Sequence, residues 1–141
     1  MVTMTLPAWM TLVLRFAGGF NLLVGAAMMT LYHEGYKLLG VSKPELVLPV
    51  QVMGLLVALF GAGYLLTAAD PWRNRNILLL GMLSKAVAGL LALTYVVTGD
   101  VPWWFALVVF FADLIYVPPF WMILSYIDRL RSPLPSKNQN T

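Results

Sequence analysis

The stretch LVLRFAGGFNLLVGAAMM, residues 12–29, decides the fold class of this chain. With its flanks it forms an apolar run over 8–31, which is long enough to cross a ~30 Å hydrocarbon layer at about 1.5 Å per helical residue. Arg15 nevertheless lies inside this run, and similar conflicts recur at Lys85 and Asp113 further along the chain. A charge in hydrocarbon is costly, so these three residues need an explanation.

Three more apolar runs, at 46–68, 77–98 and 102–127, are also long enough to span a membrane. The chain is 60% hydrophobic and 11% charged over 141 residues, whereas soluble domains carry roughly 25% charged residues. The four runs leave almost nothing for a soluble core. The sequence therefore predicts an all-α polytopic membrane protein, an antiparallel four-transmembrane-helix bundle. It forms one domain over 1–130 and ends in a disordered polar tail at 131–141.

The composition also excludes several classes of function. There is no cysteine, and His33 is the single histidine of the sequence, which argues against a cysteine metal site or a multi-histidine metal or haem site. No Lys/Arg-rich block precedes the last fifteen residues, so nucleic-acid binding is not expected. No paired carboxylates, nucleophile with a nearby base, or Gly-rich phosphate loop is found. We predict no catalytic residue and no metal site.

The basic residues of the short loops predict the orientation in the membrane. With four spans, both termini and the 69–76 loop lie on one side, and the opposite side carries Lys37 and Lys43. Short cytoplasmic loops are enriched in lysine and arginine, so the more basic side is predicted to be cytoplasmic. The basic residues of that side are Arg73, Arg75, Arg129, Arg131 and Lys137.

The pattern of small residues predicts which helix faces meet. Small residues mark helix contacts in membranes, because apolar side chains gain little by leaving lipid for one another. Arg15 shares an arc of about 120° with Gly18, Asn21 and Gly25 at 100° per residue. In the second span, Gly54, Ala58 and Gly61 line one stripe. Lys85 and Asp113 lie on similar stripes of their own helices. We therefore expect all three charges to point into the bundle. The predicted polar cluster comprises Arg15, Asn21, Tyr64, Lys85, Asp113 and Tyr116.

Pro118 and Pro119 lie in the middle of the fourth span. They remove two backbone donors and predict a kink that frees carbonyl groups near Leu114 and Ile115. Two interpretations stay open. The kink shapes the helix alone, or it opens a cavity beside Asp113.

The charges of the predicted cluster do not balance, because two cations face one anion. Three interpretations follow. One base extends to the membrane interface and the other forms a structural ion pair; a ligand pocket uses the surplus positive charge; or the charges line a proton or ion pathway.

Several segments resemble known bacterial membrane proteins. LRFAGGFNLLVGA (14–26), followed by YHEGYKLLG (32–40) in a chain of this length, resembles the small DoxX-like proteins. GYLLTAADPWRNR (63–75), LLGMLSKA (79–86) and FADLIYVPPFWMIL (111–124) resemble a bacterial group of the same size. The resemblance implies a four-helix bundle in the bacterial inner membrane. It also implies a role as the membrane subunit of a quinone-linked redox complex, with quinone as a candidate ligand and no catalytic residue carried over.

Together these observations predict a non-catalytic membrane subunit, or a component that binds a small lipophilic ligand such as a quinone or lipid within its bundle. The alternative is a proton-coupled or ion transporter that acts as a homo-oligomer, because four short helices enclose little space. The expected partners are the lipid bilayer and either another membrane subunit or further copies of the chain.

Overall fold

A computed structural model describes residues 5–131 of the protein. These residues form an all-helical bundle of four apolar spans. α1, α3, α4 and the segment Phe105–Arg131 are each long and apolar enough to cross a membrane. The predicted fold is confirmed, and the chain is a multi-pass membrane protein. Residues 132–141 of the predicted tail lie outside the described residues. The helices are α1 (Ala8–Thr30), α2 (Tyr32–Leu39), α3 (Leu48–Ala69), α4 (Arg75–Thr98), α5 (Phe105–Ala112) and α6 (Val117–Arg131), with a 3₁₀ turn at Leu114–Tyr116.

α1 and α3 pack with their backbones in contact, through glycines placed at matching heights. A Cβ atom on Gly18 would lie 2.9 Å from the Gly61 carbonyl oxygen, and one on Gly25 would lie 2.5 Å from the Gly54 carbonyl oxygen. Real side chains do not approach backbone this closely. The small-residue stripes that the sequence predicted are therefore the contact surface of this helix pair.

The dense core occupies the half of the bundle that contains the start of α1, the end of α3, the start of α4 and α6. Tyr64 and Phe120 meet edge to face at a ring-centroid distance of 4.9 Å, and both are fully buried. Other fully buried side chains in this half are Leu14, Thr67, Leu78, Ile123 and Ile127.

The same end of the bundle is tied together by polar contacts. Arg75, the first residue of α4, pairs with Asp128 of α6, and Arg131 donates to the carbonyl of Trp72 in the α3–α4 turn. These contacts fix the end of α6 beside the 69–76 loop, as an even number of spans requires.

The opposite end is more open. α2 is short and has no buried residue, and it ends at Gly40, whose φ of 67° lies in the left-handed region. A left-handed glycine is a common way to end a helix. α1 packs chiefly against α3, and its other side faces α5 across a cavity.

Candidate functional site

The site begins where the fourth span breaks. α5 ends at Ala112, and the Tyr116 N–H donates to the carbonyl of Asp113 at 3.1 Å, three residues back, instead of to Ala112 four residues back. α6 then starts at Val117, which places Pro118 and Pro119 in its first turn. The first N–H groups of a helix have no partner within it, so prolines are tolerated there.

The break therefore differs from the predicted kink. We expected the prolines to free the carbonyls of Leu114 and Ile115, but the Leu114 carbonyl accepts from the Val117 N–H. The carbonyl that turns into the bundle is that of Ala112, which accepts from the Lys85 ammonium at 2.7 Å. The physical reason is that the chain leaves the α-helix before the prolines and starts a new helix at them.

The Lys85 ammonium lies at the centre of the site with all three donors in use. Besides Ala112 it donates to Oδ1 of Asp113 at 3.0 Å and to Oδ1 of Asn21 at 3.2 Å. The Tyr116 ring centroid lies 5.0 Å from Nζ, within the range of a cation–π interaction. Three spans thus meet at one buried cation. Their contacts with the ammonium compensate for its removal from water.

Two glycines on α4 make room for this arrangement, each one helical turn from Lys85. A Cβ atom on Gly89 would lie 2.6 Å from Leu114 Cδ2, so this glycine lets the break approach α4. On the other side of Lys85, the Tyr64 ring lies directly against Gly81. The spacing of Gly81, Lys85 and Gly89 is the sequence signal for the close approach of neighbours on both sides of the cation.

A cavity of about 410 Å³ lies beside the ion pair, between α1, α3, α4 and α5. Its volume falls within the roughly 300–1,000 Å³ of small-molecule sites. Most of its lining is apolar, from side chains such as Val57 and Val108. Its polar lining residues are Asn21, Tyr64, Ser84, Lys85 and Asp113.

Several polar groups of this cavity have hydrogen-bonding capacity left. Lys85 contacts one oxygen of the Asp113 carboxylate, whose side chain is 29% exposed, and no residue within 5–131 donates to Oδ2. Tyr64 is 1% exposed, and its hydroxyl forms no hydrogen bond with any described residue. The hydroxyl therefore opens onto the cavity that Tyr64 lines. The Asn21 amide nitrogen and the Ser84 hydroxyl also have no partner among the described residues, so the cavity offers several donors and acceptors to a bound molecule.

The structure brings together five of the six residues predicted for the polar cluster. Asn21, Lys85 and Asp113 are hydrogen-bonded, Tyr116 covers the ammonium, and Tyr64 lines the cavity.

Arg15 is the exception, and the expectation that it faces the interior is wrong. It is exposed and forms no ion pair within the described part of the chain. It lies at the edge of the predicted arc, and the buried stripe of α1 runs through Leu14, Ala17, Gly18 and Asn21 instead.

Without Arg15, the interior formed by residues 5–131 holds one cation, Lys85, and one anion, Asp113, so its charges balance. The predicted surplus of positive charge lies outside the bundle. This removes the electrostatic reason for an anionic ligand.

Comparisons with protein-family models, with curated proteins and with solved structures found no match for this chain. Within residues 5–131 no three His, Cys, Asp or Glu side chains are grouped so that they could hold a metal ion.

Proposed function

We propose that this protein is a non-catalytic membrane component that binds a small, neutral, lipophilic molecule inside its bundle. The observation that carries the proposal is the cavity of about 410 Å³ beside the Lys85–Asp113 pair, onto which the Tyr64 hydroxyl opens without a partner among the described residues. A ligand that accepts from this hydroxyl gains one hydrogen bond, which is worth about 0.5–1.5 kcal/mol.

The chemistry of the site favours a ligand with a carbonyl or hydroxyl head. A carbonyl oxygen would accept from Tyr64, and a hydroxyl group would also donate to Oδ2 of Asp113. Because Lys85 and Asp113 neutralise each other, a charged head would remain uncompensated in the cavity. A quinone and its reduced form carry these two head groups, and the resemblance to DoxX-like proteins implies the same ligand class.

The proposed setting is the bacterial inner membrane with both termini cytoplasmic, as a DoxX-like subunit of a larger assembly or of a homo-oligomer. The basic residues at one end of the bundle, among them Arg73, Arg75 and Arg129, support this orientation.

Equilibrium binding of a radiolabelled, short-chain alkyl benzoquinone to the protein in nanodiscs tests the proposal. Tyr64→Phe keeps the ring and removes the hydroxyl, so we expect binding to weaken about two- to tenfold, as the loss of one hydrogen bond predicts. Tyr95→Phe is the matched control, because Tyr95 is exposed on α4. Equal affinity in both variants, or no saturable binding to the wild type, would refute the proposal.

A second candidate is a proton-coupled or ion transporter that acts as a homo-oligomer. The observation that favours it is the broken span, because discontinuous helices beside buried charges form ion and substrate sites in transporters. Proton flux in proteoliposomes tests this candidate. Flux that Asp113→Asn abolishes would support transport, and a wild-type protein without flux would exclude proton coupling.

A further inference from the structure

A second space adjoins the cavity at the open end of the bundle. It is a groove of about 530 Å³ beneath α2, bounded by the end of α1, the start of α3 and the start of α5. Its lining is almost wholly apolar, with Ala27, Leu39 and Val50 among its residues and Glu34 as its one acidic side chain. We call this space the α2 groove.

The α2 groove borders the cavity. Val24, Met28 and Phe105 line both spaces, so these three apolar side chains form the threshold between them. The Met28 side chain is unbranched and flexible, so it can move aside for a molecule that passes between the cavity and the groove. A molecule whose head lies beside Lys85 would need to pass only these three apolar side chains to reach the α2 groove.

The side of α1 that faces α5 runs along both spaces. Asn21 and Val24 line the cavity, and Val24, Ala27 and Leu31 line the α2 groove. About 1.5 Å of rise per residue puts roughly 15 Å between Asn21 and Leu31. α2 lies over the end of the groove that is farther from Lys85, and none of its residues is buried. No densely packed side chains therefore close this end of the groove.

We propose that the α2 groove holds the apolar chain of the ligand, so that the ligand class is a long-chain lipophile with one small polar head. This inference rests on the proposed function, because the head occupies the cavity. The apolar side chains that the two spaces share and the apolar lining of the groove argue for the chain as the occupant. A charged or water-rich occupant would leave its polar groups unpaired against that lining.

Photo-crosslinking in nanodiscs tests where the chain lies. The two probes are alkyl benzoquinones whose chain has about twelve carbons, chosen to span the roughly 15 Å between Asn21 and Leu31. One probe carries a diazirine next to the ring and the other carries it at the chain terminus. We expect the ring-proximal probe to label the cavity and the terminal probe to label α2 and the end of α1. An excess of unlabelled quinone should abolish both labels.

Ala27→Phe and Ala26→Phe form a matched pair, because Ala27 lines the α2 groove and its neighbour Ala26 is exposed on the outer face. Filling the groove should remove the competed terminal label from α2 in Ala27→Phe, while Ala26→Phe keeps it. Val50→Phe and Val52→Phe repeat the comparison on α3, since Val50 lines the groove and Val52 is exposed. The ring-proximal label should persist in all four variants and reports that the cavity is intact.

The outcomes separate the two proposals. If the ring-proximal label in the cavity is not competed in the wild type, the proposed function fails. If that label is competed but the terminal label spreads over lipid-facing residues such as Leu12 and Phe16, the inference about the groove is wrong. Equal terminal labels in Ala27→Phe and Ala26→Phe would also contradict the inference about the groove. So would a bilayer phospholipid that stays bound in the groove when quinone is in excess.

Discussion

Two ion pairs connect α4 with the last span, an outer pair at the end of the bundle and an inner pair beside the cavity. They differ in how many carboxylate oxygens the cation contacts. Arg75 and Asp128 form a two-point contact, with Nε to Oδ1 and a terminal guanidinium nitrogen to Oδ2 both at 2.6 Å. Lys85 and Asp113 share one contact of 3.0 Å. The side chains of the outer pair are 22% and 47% exposed, against 6% and 29% in the inner pair.

This difference indicates different roles. The outer pair saturates both carboxylate oxygens of Asp128 and lies at the end of the bundle, where it holds α4 to α6. The inner pair needs Asn21 and the Ala112 carbonyl to complete the shell of the ammonium, and it leaves Oδ2 of Asp113 beside a cavity. A partly buried carboxylate with one oxygen unpaired contributes little to stability, because its desolvation is not fully compensated. The same free oxygen is available to bind a ligand.

The largest expected effect is that of Asp113→Asn, which leaves the Lys85 charge unpaired inside the bundle. Breaking a buried pair by removing one partner costs about 3–5 kcal/mol, which we expect as a loss of unfolding free energy in detergent. Lys85→Met combined with Asp113→Asn should recover part of this loss. If Asp113→Asn costs no more than Asp128→Asn, the inner pair is no more important for stability than the outer one.

Asp128→Asn should have a smaller effect. Exposed ion pairs contribute about 0.2–1 kcal/mol, and added salt screens them. We therefore expect the difference between wild type and Asp128→Asn to shrink when unfolding is measured at high ionic strength. The effect of Asp113→Asn should be unchanged by salt, because its partner is buried. An equal salt dependence at both positions would contradict the contrast between the two pairs.

Arg15→Leu should have the smallest effect. Arg15 is exposed and makes no ion pair within residues 5–131, and surface substitutions usually change stability by less than about 0.5 kcal/mol. Quinone-analogue binding should also stay at the wild-type level. A loss as large as that of Asp113→Asn would show that Arg15 contributes to the interior after all.

The sequence was sufficient to predict the four spans, because a ~30 Å apolar layer imposes a minimum length on each helix. It was also sufficient for the contact faces of α1 and α3, since only glycine lets two backbones approach as Gly18 and Gly61 do. The inward direction of Lys85 and Asp113 followed from their stripes of small and polar residues, but the sequence left open whether Arg15 or Lys85 pairs with Asp113. These features depend on the period of one helix at a time.

The tertiary structure alone decided the features that depend on how helices are placed relative to one another. A residue at the edge of a 120° arc faces inward or outward according to where the neighbouring helix lies. The angular positions along α1 alone therefore could not determine the direction of Arg15. The double proline was compatible with a kink inside one helix or with the start of a new one. The new helix was favoured because it frees the Ala112 carbonyl for a cation on another span, and that partner is separated from it by 27 residues of sequence. The cavity and the α2 groove exist because α1 packs against α3 and leaves its other side facing α5, an arrangement of whole helices that no single segment encodes.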